Sequence, residues 1–191
     1  CGVEEGGQGV LAEGVEGIQR GSWGERRVQA VIPPDASEQG VLLIQGDQVR
    51  RRQIDVVFPV LHGMYGEDGT VQGLLEMARI PYVGCGVLSS AISMDKAYTK
   101  QIVAYLGIRQ ARYVLVTRWE LDHPKECVKR VEEKLPYPVF VTPTKAAPPP
   151  GVSCAGGPDE LHNALTAAAA HDHRPTVESP YQGYYDTCPA R

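Results

Sequence analysis

Cysteine is the first shortage. The five thiols, Cys1, Cys85, Cys127, Cys154 and Cys188, are odd in number, widely spread and never spaced as Cys-x-x-Cys. That argues against a disulfide framework or a zinc site, and for reduced thiols in a cytoplasmic protein. Positive charge is short as well: 19 Lys and Arg stand against 23 Asp and Glu, a net charge of -4. A nucleic-acid binder normally presents a basic face, so that class of partner is set aside. No apolar run approaches membrane-spanning length, so no membrane partner is expected, and no basic-plus-apolar leader opens the sequence. Neither Gly-x-Gly-x-x-Gly after a strand nor Gly-x-x-x-x-Gly-Lys is present, which weakens a generic nucleotide-binding α/β fold. What remains is a chain of 191 residues, 42% hydrophobic and 22% charged, long enough for one large domain or two small ones with a real core.

The most legible stretch runs from Ile54 to Lys100. Ile54 to Leu61 is a continuous apolar run, the pattern of a buried parallel strand. A loop with three glycines and two acids follows, His62-Gly63-Met64-Tyr65-Gly66-Glu67-Asp68-Gly69. Val71, Leu74, Leu75 and Ala78 then recur at helical spacing. Ile80 to Val83 reads as a second short strand, which completes a βαβ unit. Ligands in such sheets sit beyond the strand's carboxyl end, where this loop lies. Glu67 and Asp68 are read as structural, since acids favour the positive end of the helix dipole.

Around that stretch the signals are local. Arg26 to Ile32 is a candidate strand stopped by Pro33-Pro34. Val41 to Gln45 and Gln48 to Arg52 flank Gly46-Asp47 as a hairpin, with Arg50, Arg51 and Arg52 on a solvated edge. A short helix is expected over Ser89 to Ser93. A longer one opens at Met94-Asp95-Lys96, with Tyr98, Ile102, Tyr105 and Leu106 on one face and Gly107 as its C-cap. Arg112 to Thr117 reads as a strand, Asp122 to Leu135 as a helix and Tyr137 to Val141 as a strand. A further helix starts at Gly157-Pro158, with Leu161, Leu165 and Ala168 inward, and Thr176 to Glu178 is the last strand. His171-Asp172-His173 lacks a third ligand at sensible spacing and is read as a solvated helix end.

Two of these segments carry a resemblance. LHGMYGEDGTVQGLLE followed by IPYVGCGVLSSAISMDK resembles the D-alanine–D-alanine ligases of the ATP-grasp superfamily, nearest the branch that includes the vancomycin-resistance ligases. Two motifs in that order are far more specific than either alone. The resemblance runs from about Val28 to Cys188. It implies an α/β fold in which an N-terminal parallel-sheet α/β domain, residues 1–92, precedes a smaller α+β ATP-grasp subdomain, residues 93–191. It implies an ATP- and magnesium-dependent ligase of peptidoglycan precursor synthesis, acting on D-alanine through a D-alanyl phosphate. The second substrate stays open between D-alanine, D-lactate and D-serine.

By resemblance, His62 matches a histidine beside the substrate and is the catalytic candidate. Lys96 matches a lysine on the ATP phosphates. Glu178 and Tyr181 match contacts around the adenine. No metal ligands are assigned, because the family's magnesium ligands lie beyond Arg191.

The departures are also specific. Thr142 stands where the family has a second ATP lysine. Ala147, Pro148 and Pro149 replace a glycine and two serines of a loop that closes on the phosphates, and proline has no N–H to donate. Lys145 is the nearest substitute cation. Tyr185 stands in place of a glutamate read as the ribose contact, and Ser179 in place of a lysine or glutamine. The family's first strand and loop are not recognisable before Val28. The expectation is therefore a chain truncated at both ends and inactive alone. The alternative is a non-catalytic relic or interaction module that keeps the α/β scaffold, with homodimerisation through that scaffold as one form.

Overall fold

The computed structural model describes residues 2–3, 9–10, 28–144, 152–169 and 174–181. The chain divides into two compact units, Cys1–Ser90 and Ala91–Arg191.

The first unit contains an antiparallel sheet of five strands in sequence order. These are β1 (Gly2–Val3), β2 (Gly9–Val10), β3 (Gln29–Val31), β4 (Gly40–Gln45) and β5 (Gln48–Gln53). The β4–β5 hairpin turns at Gly46, whose φ of 57° suits glycine, and pairs Gln45 with Gln48. Every residue of β5 is exposed, and its three arginines line the sheet edge, a common protection against strand addition. Helix α1 (Thr70–Met77) buries Leu75 completely, and Leu75, Ala78 and Ile80 form the fully buried core of this unit.

The α/β class stands, but its parallel part is narrower than the apolar run suggests. Between Ile54 and Leu61 only Val57 makes a parallel bridge, to Tyr82. Val57 donates to Pro81 and accepts from Val83. Val56, Phe58 and Val60 point outward and are exposed, Phe58 to 70%. The residues alternate like a strand, yet Pro59 removes one donor and no second strand among the described residues covers that side. Both expected strands shrink to this bridge, and the strand ladders among the described residues are antiparallel.

In the second unit, four antiparallel strands run in the order β6–β9–β7–β8. They are β6 (Tyr113–Leu115), β7 (Val139–Thr142), β8 (Ser153–Ala155) and β9 (Thr176–Glu178). Pairings of Thr142 with Thr176 and Phe140 with Glu178 set the β7–β9 register. Helices α5 (Pro124–Glu132) and α6 (Pro158–Ala169) contribute Cys127, Val131, Leu161 and Leu165 to one core with Val114, Val139, Val141 and Val177 of the sheet. Helix α2 (Val87–Met94) precedes α3 (Lys96–Tyr105).

One local expectation is corrected here. The helix expected from Asp122 begins earlier and breaks. Thr117 caps α4 (Arg118–Leu121) through a capping box with Glu120, Asp122 closes α4, and Pro124 opens α5 as its first residue. The apolar side of α3 is outward: Tyr98, Ile102, Tyr105 and Leu106 are all exposed, while Ala97 and the lysine stems take the sheltered side.

Candidate functional site

Helix α3 carries the second unit's cluster of charged groups. Asp95 is its N-cap and accepts from the amides of Ala97 and Tyr98 at 3.0 and 3.3 Å. The Lys96 amide donates to the Thr144 carbonyl at 3.1 Å, which ties the helix start to the segment after β7. The first-turn amides are thus occupied. An anion arriving here would meet the Lys96 ammonium, not the bare helix end. Lys96 Nζ donates to the Pro143 carbonyl at 3.3 Å and is half-buried. The buried Asp95 carboxylate also holds Arg174, 2.6 Å away, and the Arg174 guanidinium lies over the Tyr98 ring.

One turn along α3, on the side Lys96 occupies, Lys100 Nζ lies 2.8 Å from Glu178 Oε2. Thr176 donates to the other oxygen of Glu178 at 3.1 Å. Helix α3 therefore links Lys96, at the end of β7, with Glu178 on β9. Tyr181, three residues past Glu178, is half exposed. The sequence reading passed over Lys100, whose four-residue spacing from Lys96 was the available signal. Lys145, His171, Asp172, His173 and Tyr185 lie outside the described residues, as does the Ala147–Pro149 segment. Thr142 is half-buried, and its carbonyl lies 3.2 Å from the Thr176 hydroxyl.

In the first unit His62 is exposed at the mouth of the Gly-rich loop. The two acids of that loop hold its backbone. Glu67 accepts from the Gly63 amide at 2.5 Å, and Asp68 accepts from the amides of Tyr65 and Thr70 at 2.9 and 3.0 Å. Burial pushes the Asp68 carboxyl up. The hydrogen bonds from Tyr65 and Thr70 outweigh it and hold the group below its ordinary value. Gly69 sits at φ 93°, and a Cβ there would lie 2.7 Å from the Val87 carbonyl. Tyr65, at φ 68°, holds a left-handed conformation uncommon for a side-chain-bearing residue.

Chemically, the second unit offers a cation on α3, Lys96, and a carboxylate on β9, Glu178, which Lys100 holds one turn further along the same side of the helix. That arrangement suits a ligand with an anionic end and a hydrogen-bond-donating end, such as a nucleotide. Among the described residues there is no group of three or more His, Cys, Asp or Glu that could hold a metal ion, so no magnesium ligands are assigned. No helix of the described residues is long and apolar enough to cross a membrane.

Comparison with known proteins defines the class. The chain overlays the VanG D-Ala:D-Ser ligase of Enterococcus faecalis with a TM-score of 0.85 and 35% identity, covering 96% of this chain and 52% of that one. The fold is that of an ATP-grasp ligase. Residues 12–85 match the model of the D-ala D-ala ligase N-terminus and residues 102–189 that of the D-ala D-ala ligase C-terminus. A D-alanine--D-alanine ligase of Acetivibrio thermocellus is 51% identical over 140 residues, 73% of this chain and 37% of that protein. Another, of Ruminiclostridium cellulolyticum, is 40% identical over 200 residues, 98% of this chain and 53% of that protein. The chain belongs to the D-alanine–D-alanine ligase family. It spans about half the length, or less, of the curated relatives it matches.

Proposed function

We propose that this chain carries part of the machinery of a cytoplasmic ATP-dependent ligase that joins D-alanine to a second small acid in peptidoglycan precursor synthesis. Residues 1–92 act as the N-terminal substrate-binding domain and residues 93–191 as part of the ATP-grasp domain. Lys96 takes the ATP phosphates, Glu178 and Tyr181 take the adenine, and His62 lies beside the bound D-alanine. The observation that carries the reading is that Lys96 and Lys100 lie one turn apart on α3, with Glu178 of β9 held by Lys100 on the side that Lys96 occupies.

In the reaction, the D-alanine carboxylate attacks the terminal phosphorus of ATP, giving ADP and an acyl phosphate. The amine of the second substrate (or hydroxyl, if that substrate is D-lactate) then attacks the carbonyl carbon and phosphate leaves. Lys96 offsets negative charge gathering on the phosphate oxygens, which is where such a site gains most. Magnesium, when bound, would supply further positive charge against the phosphates, and none of the described residues is assigned to hold it. The segment from Gly63 to Gly69, held by Glu67 and Asp68, keeps His62 on a fixed loop.

Saturation-transfer NMR tests the substrate half. D-alanine should give a signal, L-alanine a much weaker one, and His62→Ala should reduce the D-alanine signal. Equal responses to the two enantiomers would count against the reading. A second reading, a scaffold that no longer turns over, is favoured by Thr142 at the second lysine's position. Phosphate release from ATP that depends on D-alanine would eliminate it.

A further inference from the structure

Lys100 shares the sheltered side of α3 with Lys96. Its side chain is 15% exposed, and that of its partner Glu178 is 21% exposed. The ammonium also lies 5.1 Å from the centre of the Tyr113 ring, on β6 beside β9. An ordinary surface lysine keeps its water; this one has given up most of it to two groups at once. The Glu178 carboxylate is held at both oxygens, Oε2 by Lys100 at 2.8 Å and Oε1 by the Thr176 hydroxyl at 3.1 Å.

We propose that Lys100 is a positioning residue that fixes the Glu178 carboxylate as an acceptor for the exocyclic amine of adenine, and so sets the preference for ATP over GTP. This rests on the reading of Glu178 as an adenine contact. An ionised carboxylate can only accept hydrogen bonds. Adenine presents an amine at the position where guanine presents a carbonyl. A carboxylate that cannot turn away leaves the guanine carbonyl facing a second acceptor, and an unpaired polar group at a built site is what gives strong rejection. A mobile glutamate would swing aside and discriminate poorly. Because Lys96 and Lys100 lie on one rigid helix, α3 also sets the spacing between the phosphate and base ends.

The test is calorimetric titration of ATP and of GTP, each with magnesium, into the full 191-residue chain and into Lys100→Met, Lys100→Arg and Glu178→Gln. Lys100→Met keeps the apolar stem and removes the charge. Its ATP affinity should fall about tenfold with GTP affinity nearly unchanged, so the ATP:GTP ratio collapses. Lys100→Arg should restore most of the ratio, and Glu178→Gln should lower it even if the Met variant fails to fold. Equal weakening of both nucleotides, or an unchanged ratio in a parent chain that binds ATP, overturns the role of Lys100 and leaves the nucleotide reading standing. A folded parent chain that binds neither nucleotide overturns both.

Discussion

Residues 28–90 and the second unit hide their apolar side chains very unequally. In the second, thirteen residues from four strands, two helices and their flanks form one buried cluster, and Val139, Val141, Leu161 and Val177 have no exposed surface. In the first, the fully buried cluster is Leu75, Ala78 and Ile80, while Val56, Phe58, Val60, Met64 and Tyr65 face outward. The better-covered unit holds the charged cluster along α3. The unit with the most specific sequence motif holds it on a loop that is fixed by its own acids and glycines. Packing secures one candidate site and local hydrogen bonding the other.

That contrast predicts graded effects. Leu161→Ala should cost about 3 kcal/mol, since it empties a fully enclosed position. Phe58→Ala removes a larger side chain, yet should change stability by no more than about 0.5 kcal/mol because it is already in water. Urea unfolding followed by circular dichroism measures both, and a Phe58 loss matching that of Leu161 would erase the distinction. Next in size, Gly69→Ala should destabilise by about 2 kcal/mol, because it meets both a positive φ and the Val87 carbonyl. If the loop tolerates that alanine, its backbone is not the rigid element described here.

The smallest effect concerns pH. Asp68 has its folded value below the unfolded one, so its contribution is present above the unfolded value, about pH 4, and is lost as pH falls through the folded value. Asp68→Asn should be less stable than the parent at neutral pH. The two should converge on acidification, and denaturation curves at several pH values check it. A gap that stays constant with pH would mean that the Asp68 charge contributes nothing to the loop.

Local chemistry was readable from the residues, as was the inward face of α6 with Leu161, Leu165 and Ala168, but burial that depends on a distant strand was not. Gly46-Asp47 announced its hairpin, Met94-Asp95-Lys96 the start of α3, Gly157-Pro158 the start of α6 and Gly107, at φ 70°, the end of α3. Each of these acts over a few residues. Whether Val56, Phe58 and Val60 are covered depends on a neighbouring strand far away in sequence, so an apolar run could not reveal their exposure. The break between α4 and α5 was recoverable from Thr117-x-x-Glu120 and Pro124, but the apolar spacing of Val128, Val131 and Leu135 masked it. At the candidate site, Lys96 and Glu178 came from a resemblance. The Lys100–Glu178 pair joins residues 78 positions apart and needs the sheet to bring it together.

The most direct measurement is a calorimetric titration of ATP with magnesium into the purified chain beside its Lys96→Ala variant. Saturable binding to the parent that disappears in the variant is the predicted result, and it would place nucleotide on α3. A cooperatively folded parent that gives no heat, or a variant that binds as the parent does, would contradict it.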